Sequence, residues 1–275
     1  HLDSLYRDAT LKIGYSVPES KDAEVAYTLT APDGTPVRLA QSVFAVRKGE
    51  NVQELAVRNP LKWDAEHPNL YTLTVSLREG GKELSRFDKK IGFREVKIEK
   101  DRMFVNGKPV KLRGACRHDI HPTLGRTTTA EIDSLDAVLF KRANMNFVRT
   151  SHYPPSERFL NYCDHYGIYV ESETAVCFVD TYRQKNYAPG RSQDSADFTP
   201  QYLSQCREMV KSFRSHPAIL FWSIGNESVY GTNFQQSWDY VKATDTTRPV
   251  IFSYPGSVGD RKPIYEILSM HYQDV

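Results

Sequence analysis

What this sequence has little of narrows its function first. Lys and Arg number 36 against 34 Asp and Glu, so neither sign of charge is in excess. No basic block or stripe occurs, and a nucleic-acid partner, which would be held through its phosphates, is not expected. No apolar run approaches the roughly 18 residues that cross a bilayer as a helix, so no membrane partner is expected. Residues 1–20 carry no signal-peptide pattern. The four cysteines, Cys116, Cys163, Cys177 and Cys206, form no C-x-x-C pair and no metal-binding spacing. They read as free buried thiols, which mildly favours a reducing compartment. No Gly-rich phosphate loop follows any candidate strand, which removes a common nucleotide-binding signal.

What is there is an ordinary globular composition, 275 residues of which 40% are hydrophobic and 25% charged. That length suits one large domain or two of common size. The chain changes character near residue 98. Residues 1–97 hold short segments such as "EVAYTLTAP" and "LYTLTVSLRE", in which apolar and polar residues alternate as in half-buried strands. Turn signals such as "PDGT" and "EGGK" separate them. Short strands without helices predict an immunoglobulin-like β-sandwich.

From residue 98 to 275 strand and helix patterns alternate. A hairpin turns at Asn106-Gly107, and Thr128 with Glu131 predicts a capping box ahead of a helix from Ala130. The segments "FVRTS", "IYVESE", "AILFWSIG" and "VIFSY" read as strands, and "YEILSM" as a sixth. A polar loop runs through Pro189-Gly190. Alternating strands and helices imply a parallel sheet. Polar residues gather after the strands: His118, Ser151-His152, Glu173, Asn226-Glu227 and His271-Tyr272. In a (β/α)8 TIM barrel that end carries the active site, whereas a doubly wound sheet gathers its ligand groups at one switch point. The fold expected is therefore a sandwich followed by six strands of an incomplete barrel.

Asn226-Glu227 ends the apolar strand "LFWSIG". A carboxyl there is either paired with an arginine or poised as a general acid. Arg149 and His152 follow the second strand, where the guanidinium can grip a carboxylate. His118 and His121 lie three apart in a loop, too weak a pair to predict a metal. Hydrogen bonding to a substrate suits His118 better, and His121 a role in shaping the loop.

Together these segments resemble glycoside hydrolase family 2, the β-galactosidase and β-glucuronidase family. "NFVRTSHYPPSERFLNYCDHYGIYV" is similar to the family's first signature and "RSHPAILFWSIGNES" to its acid/base signature. "NPLKWDAEHPNLYTLTV" resembles the end of its sandwich domain, and "IGFREVKI" the junction with its barrel. The resemblance implies a retaining exo-β-glycosidase acting on terminal β-galactosides, with a β-linked oligosaccharide or glycoside as substrate. Glu227 would be the catalytic acid/base and Asn226 would bond the sugar 2-hydroxyl. His118 and His152 would line the sugar pocket, Arg149 would hold the nucleophilic carboxylate, and Tyr272, or else His271, would stand near that nucleophile. The nucleophile itself, a Glu after the seventh barrel strand, and the family's jelly-roll domain are expected outside this chain. The alternatives are a β-glucuronidase or a catalytically inactive sugar-binding fragment. Metal-dependent relatives carry an acidic residue and a His after the third strand. Cys177 and Val179 stand at those places, so no metal and no other cofactor is expected. The resemblance suits a bacterial-type enzyme and leaves open cytoplasm or periplasm, and monomer or homo-oligomer.

Overall fold

The computed structural model describes residues 1–18, 23–180, 192–253 and 265–272. They fall into two compact units, His1–Glu95 with Val105–Gly107, and Val96–Phe104 with Lys108–Val275.

The first unit is all β. Its strands are β1 (Ala9–Val17), β2 (Ala23–Thr30), β3 (Pro36–Val37), β4 (Val43–Ala45), β5 (Gly49–Val57), β6 (Tyr71–Glu79) and β7 (Lys82–Ile91). One sheet pairs β1 with β5, and the other runs β3-β2-β6-β7, with β4 also on β2. The alternation in the sequence sets which face is buried. Val25, Tyr27 and Leu29 of β2 point into a core shared with Leu55, Val57, Tyr71, Leu73 and Val75, while the residues between them stay more exposed. In "PDGT" the Asp33 carboxylate accepts from the Thr35 amide, and Gly34 takes a positive φ of 87°, which an L side chain resists. This unit is the sandwich the sequence predicts.

Next along the chain are β8 (Val96–Glu99), β9 (Arg102–Val105) and β10 (Lys108–Val110), a small three-stranded sheet. Positive φ at both Asn106 and Gly107 is what a tight hairpin turn asks of that dipeptide. Then come β11 (Gly114–Arg117), α1 (Ala130–Arg142), β12 (Phe147–Thr150), α2 (Glu157–Tyr166), β13 (Tyr169–Glu173), α3 (Thr199–Phe213), β14 (Ile219–Asn226), α4 (Thr232–Thr244) and β15 (Val250–Ser253). The five strands β11 to β15 are parallel and lie in chain order. An order that never reverses is that of a barrel wall, part of a (β/α)8 fold, rather than of a doubly wound sheet.

Three expectations change in detail. The segment "YEILSM" forms no strand among the described residues, and only Ile267 bridges to Ile251 of β15. Helix α1 is capped by Thr129, whose hydroxyl accepts from the Ile132 amide; Thr128 turns instead toward Asp133. Of the four thiols, Cys163 and Cys206 are buried, but Cys177 is only partly so and Cys116 is exposed. The loop through Pro189-Gly190 and the end of "VIFSY" at Tyr254 lie outside the described residues.

Local chemistry fixes the strand ends. A Cβ on Gly114 would stand 1.8 Å from the Phe147 carbonyl oxygen, so only glycine lets β11 approach β12 this closely. Helix α2 starts at Ser156, which accepts from the Phe159 amide, and stops at Gly167 with φ 71°, the usual left-handed stop. At the end of β11 the Arg117 guanidinium is surrounded by Asp119, Asp133 and Asp136 and lies 3.9 Å over the Phe159 ring. Removing one member of such a buried set costs roughly 3–5 kcal/mol, so β11, α1 and α2 are held as one piece. On the far side Asp245 takes the Trp222 indole N–H at 3.0 Å and Arg248 at 2.6 Å. Trp222 is thereby a fully buried core residue.

Candidate active site

Strands β12 to β15 are buried almost throughout, yet they carry charge. Side chains alternate across a strand, so Glu171 and Glu173 share one face of β13. The parallel register sets Arg149 of β12 beside Glu171, Cys116 of β11 beside Arg149, and Ser223 of β14 beside Glu173. A polar ladder therefore crosses the sheet near its C-terminal end.

Arg149 is its centre. Its Nη2 donates to Glu173 Oε2 at 2.6 Å and to Asn226 Oδ1 at 2.6 Å, and its Nε donates to Glu173 Oε2 at 3.0 Å. The same Nε lies 3.3 Å from Glu171 Oε1, and Nη1 reaches toward Cys116 Sγ at 4.0 Å. Glu173, at 0% exposure, also accepts from the Ser223 hydroxyl at 2.7 Å and lies 2.7 Å from His152 Nδ1. Glu171 accepts from the Ser253 hydroxyl at 2.9 Å.

The two carboxyl groups are driven apart. Burial, then repulsion from Glu173, lifts the Glu171 carboxyl to about 7, against the pull of Arg149 and the two serines. Burial opposes ionisation of Glu173 too, but the His152 hydrogen bond, the Arg149 charge and the Ser223 hydroxyl outweigh it and hold its carboxyl low. One arginine thus faces one ionised carboxylate and one carboxyl that stays protonated into the neutral range.

Asn226 and Glu227 stand at the end of β14. The Asn226 amide is pinned at both ends, Oδ1 by Arg149 and Nδ2 by donation to Cys177 Sγ at 3.2 Å. Glu227 has φ 39°, uncommon for a residue other than glycine and a mark of functional sites. Its amide donates to the Ser253 carbonyl at 2.8 Å. Its Oε1 accepts from the Tyr272 hydroxyl at 2.7 Å and lies 3.0 Å from His271 Nδ1. Tyr272 is otherwise 77% exposed. A cavity of about 340 Å³ is lined by Cys116, His118, Arg149, Ser151, His152, Glu227, His271 and Tyr272. The His118 and His152 rings meet edge to face at 5.4 Å. Burial, then the charges of His152, Arg126 and Arg149, lower the His118 pKa, keeping a neutral ring at the wall.

The structure thus brings Glu227, Asn226, Arg149, His118, His152 and Tyr272 into one neighbourhood, with His271 beside Tyr272. His121 instead accepts from the amides of Thr123 and Leu124 and shapes its own loop. At the end of β13, Cys177 Sγ accepts from Asn226, and the Val179 amide donates to the Ser228 hydroxyl. Among the described residues no three His, Cys, Asp or Glu side chains converge as a metal site. The sequence reading overlooked Glu171, Ser223, Ser253 and the pocket-lining Cys116. The signal for Glu171 was its position two residues before Glu173 in "YVESE", which puts two carboxyls on one face of an apolar strand.

Comparison with known proteins places these residues in a family. Residues 96–274 match the model for the TIM barrel domain of glycosyl hydrolases family 2, and residues 1–94 match a second model for glycosyl hydrolases family 2. A beta-galactosidase of Vibrio vulnificus (strain YJ016) is 36% identical over 265 residues, which is 93% of this chain and 25% of that protein. A beta-galactosidase of Klebsiella pneumoniae is 33% identical over 271 residues, with the same shares. Among solved structures, a beta-glycosidase from Bacteroides vulgatus superposes with TM-score 0.77 at 27% identity, over 90% of this chain and 32% of that one. The beta-glucuronidase of Parabacteroides merdae superposes with TM-score 0.78 at 24% identity, over 90% and 32%, and shows the fold alone. The chain spans about a quarter of the length of the curated relatives it matches.

The Glu171 carboxyl gives a measurable pH dependence. In the unfolded chain it ionises near 4.5, in the folded one near 7. Between those values the folded state binds more protons, so stability falls as pH rises through the window and levels off above it. Urea unfolding at about pH 5 and about pH 8 should show the wild-type midpoint falling and Glu171→Gln falling clearly less. Equal falls in both proteins would refute the assignment.

Proposed function

The chain belongs to glycoside hydrolase family 2, and from that premise we propose that it carries the acid/base side of a retaining exo-β-glycosidase site for terminal β-galactosides. The observation that supports this best is the Glu227 carboxyl at the wall of the cavity, held by Tyr272 and His271, next to an Asn226 amide held by Arg149. β-Galactoside is preferred as substrate because the relatives named beta-galactosidase are the more similar ones, at 36% and 33% identity. A β-glucuronide is the second reading, favoured by the 27% identical Bacteroides uniformis beta-glucuronidase structure.

In this reading Glu227 protonates the glycosidic oxygen as the bond to the departing group breaks. After departure it takes a proton from the water that attacks the sugar–enzyme intermediate. The nucleophile in this reading is a second carboxylate, expected after a seventh barrel strand. Glu173 is a poor substitute, because Arg149, Ser223 and His152 already take up its two oxygens. Asn226 has one amide proton beyond the one given to Cys177, and it donates that proton to the sugar 2-hydroxyl. His118 and His152 line the sugar pocket, with His118 as a neutral hydrogen-bonding group. Arg149 acts on the catalytic end through Asn226: its Nε and Nη2 are taken by Glu173 and Asn226, while Nη1 faces Cys116 at the cavity wall.

No metal enters this mechanism. Cys177 is engaged by Asn226, and burial pushes its thiol up, so it stays a neutral, poor ligand for magnesium, which prefers oxygen.

Two experiments on the full-length protein carrying this chain test the reading. Glu227→Gln should slow hydrolysis of alkyl β-galactosides by about 10²–10⁴-fold and that of activated aryl β-galactosides far less. Azide should restore the activated substrates by giving a β-glycosyl azide. Equal losses on both substrate types without rescue would remove Glu227 from this role. Exhaustive EDTA treatment should leave activity unchanged; a loss that magnesium reverses would contradict the metal-free reading.

A further inference from the structure

Glu171 is the carboxyl group of the polar ladder for which the mechanism has no use. It sits inside the barrel wall, and the elements packed around it present few charges. Arg149 faces it from β12, Glu173 from its own strand, and the hydroxyls of Ser223 and Ser253 from β14 and β15. Beyond these lie His152, which reaches the cluster through Glu173, and Cys116 of β11, which meets Arg149 Nη1. The cluster therefore holds one fixed positive charge for two carboxyl groups.

The geometry of the guanidinium matters most. Its Nη2 holds Asn226 Oδ1 at 2.6 Å, while its Nε lies 3.3 Å from Glu171 Oε1, longer than the 3.0 Å to Glu173. A neutral Glu171 leaves the arginine to Glu173 and Asn226. An ionised Glu171 adds a buried negative charge 3.3 Å from Nε, and Coulomb attraction in a water-poor interior favours a closer approach of the two groups. Closing that gap would draw the guanidinium toward Glu171, in competition with its hold on Asn226.

We propose that Glu171 is a positioning residue whose protonation keeps Arg149 on Asn226, and whose ionisation withdraws it and weakens the site. This rests on the hydrolase reading above, because Asn226 matters to turnover only if it meets the sugar. The rise of the Glu171 carboxyl to about 7 places the change where it would act on an enzyme near neutral pH. The sign is fixed: activity is held at lower pH and lost as pH rises through that value.

The test is the pH profile of kcat/KM for dinitrophenyl β-galactoside, a substrate whose leaving group needs no proton from Glu227. It is measured on the full-length protein as wild type, E171Q and S253A. The wild type should lose activity above about pH 7. E171Q, a fixed neutral isostere, should move that limb upward by about one pH unit or more. S253A removes a hydrogen bond that favours the ionised form, so it should move the limb upward by a smaller amount. A purely structural Glu171 would lower activity at every pH and leave the limb in place. A limb unmoved in E171Q overturns the proposal. If E171Q does not fold, an unmoved limb in S253A overturns it alone. A wild type that turns over neither β-galactoside nor β-glucuronide at any pH overturns the hydrolase reading instead.

Discussion

A guanidinium can be kept inside a protein wall only where anions and hydrogen-bond acceptors replace the water it gives up. Arg149 meets that condition with Glu173, Asn226 and a more distant Glu171. Taking away one partner of such a buried pair costs roughly 3–5 kcal/mol, a large share of a domain's stability. The requirement fixes rotamers on three adjacent strands at once. It orients Glu173 toward Ser223 and His152, and it clamps the amide of the residue preceding Glu227.

The parallel sheet makes this arrangement possible. Strands in chain order bring successive C-terminal ends side by side, and a two-residue side-chain period puts Glu171 and Glu173 on one face. The parallel register then aligns Cys116, Arg149 and Glu171 across three strands. Around the cluster, Arg117 at the end of β11 with its aspartates and Arg248 with Asp245 tie helices and strand ends together. The sandwich has its own apolar core.

Much of this was legible in the sequence. The change from a period of two to alternating strands and helices separates sandwich from barrel, and the burial patterns of β2 and β14 follow from the order of apolar and polar residues. Asn226-Glu227, Arg149 and His152 stand out because charge at the end of an apolar strand needs a reason. The rest required geometry. In "RTTTAE" three adjacent threonines offer nearly the same cap, and only backbone angles select Thr129. "YEILSM" is apolar enough for a strand, but an apolar run carries no information on a pairing partner, and Ile267 makes a single bridge to Ile251. The Glu171 carboxyl could be suspected from "YVESE", but its meeting with Arg149 and Ser253 depends on register and on a residue 82 positions away.

In the reading proposed above, Arg149 contributes to turnover chiefly by holding Asn226. A double-mutant cycle on kcat/KM of the full-length protein, with Arg149→Lys, Asn226→Ala and both together, tests this most directly. Lysine keeps the charge but loses the fork that grips Glu173 and Asn226 together. If the account is right, the two changes remove the same contribution, and the double variant is hardly worse than the worse single one. Losses that simply multiply would show that the two residues act independently, and would contradict it.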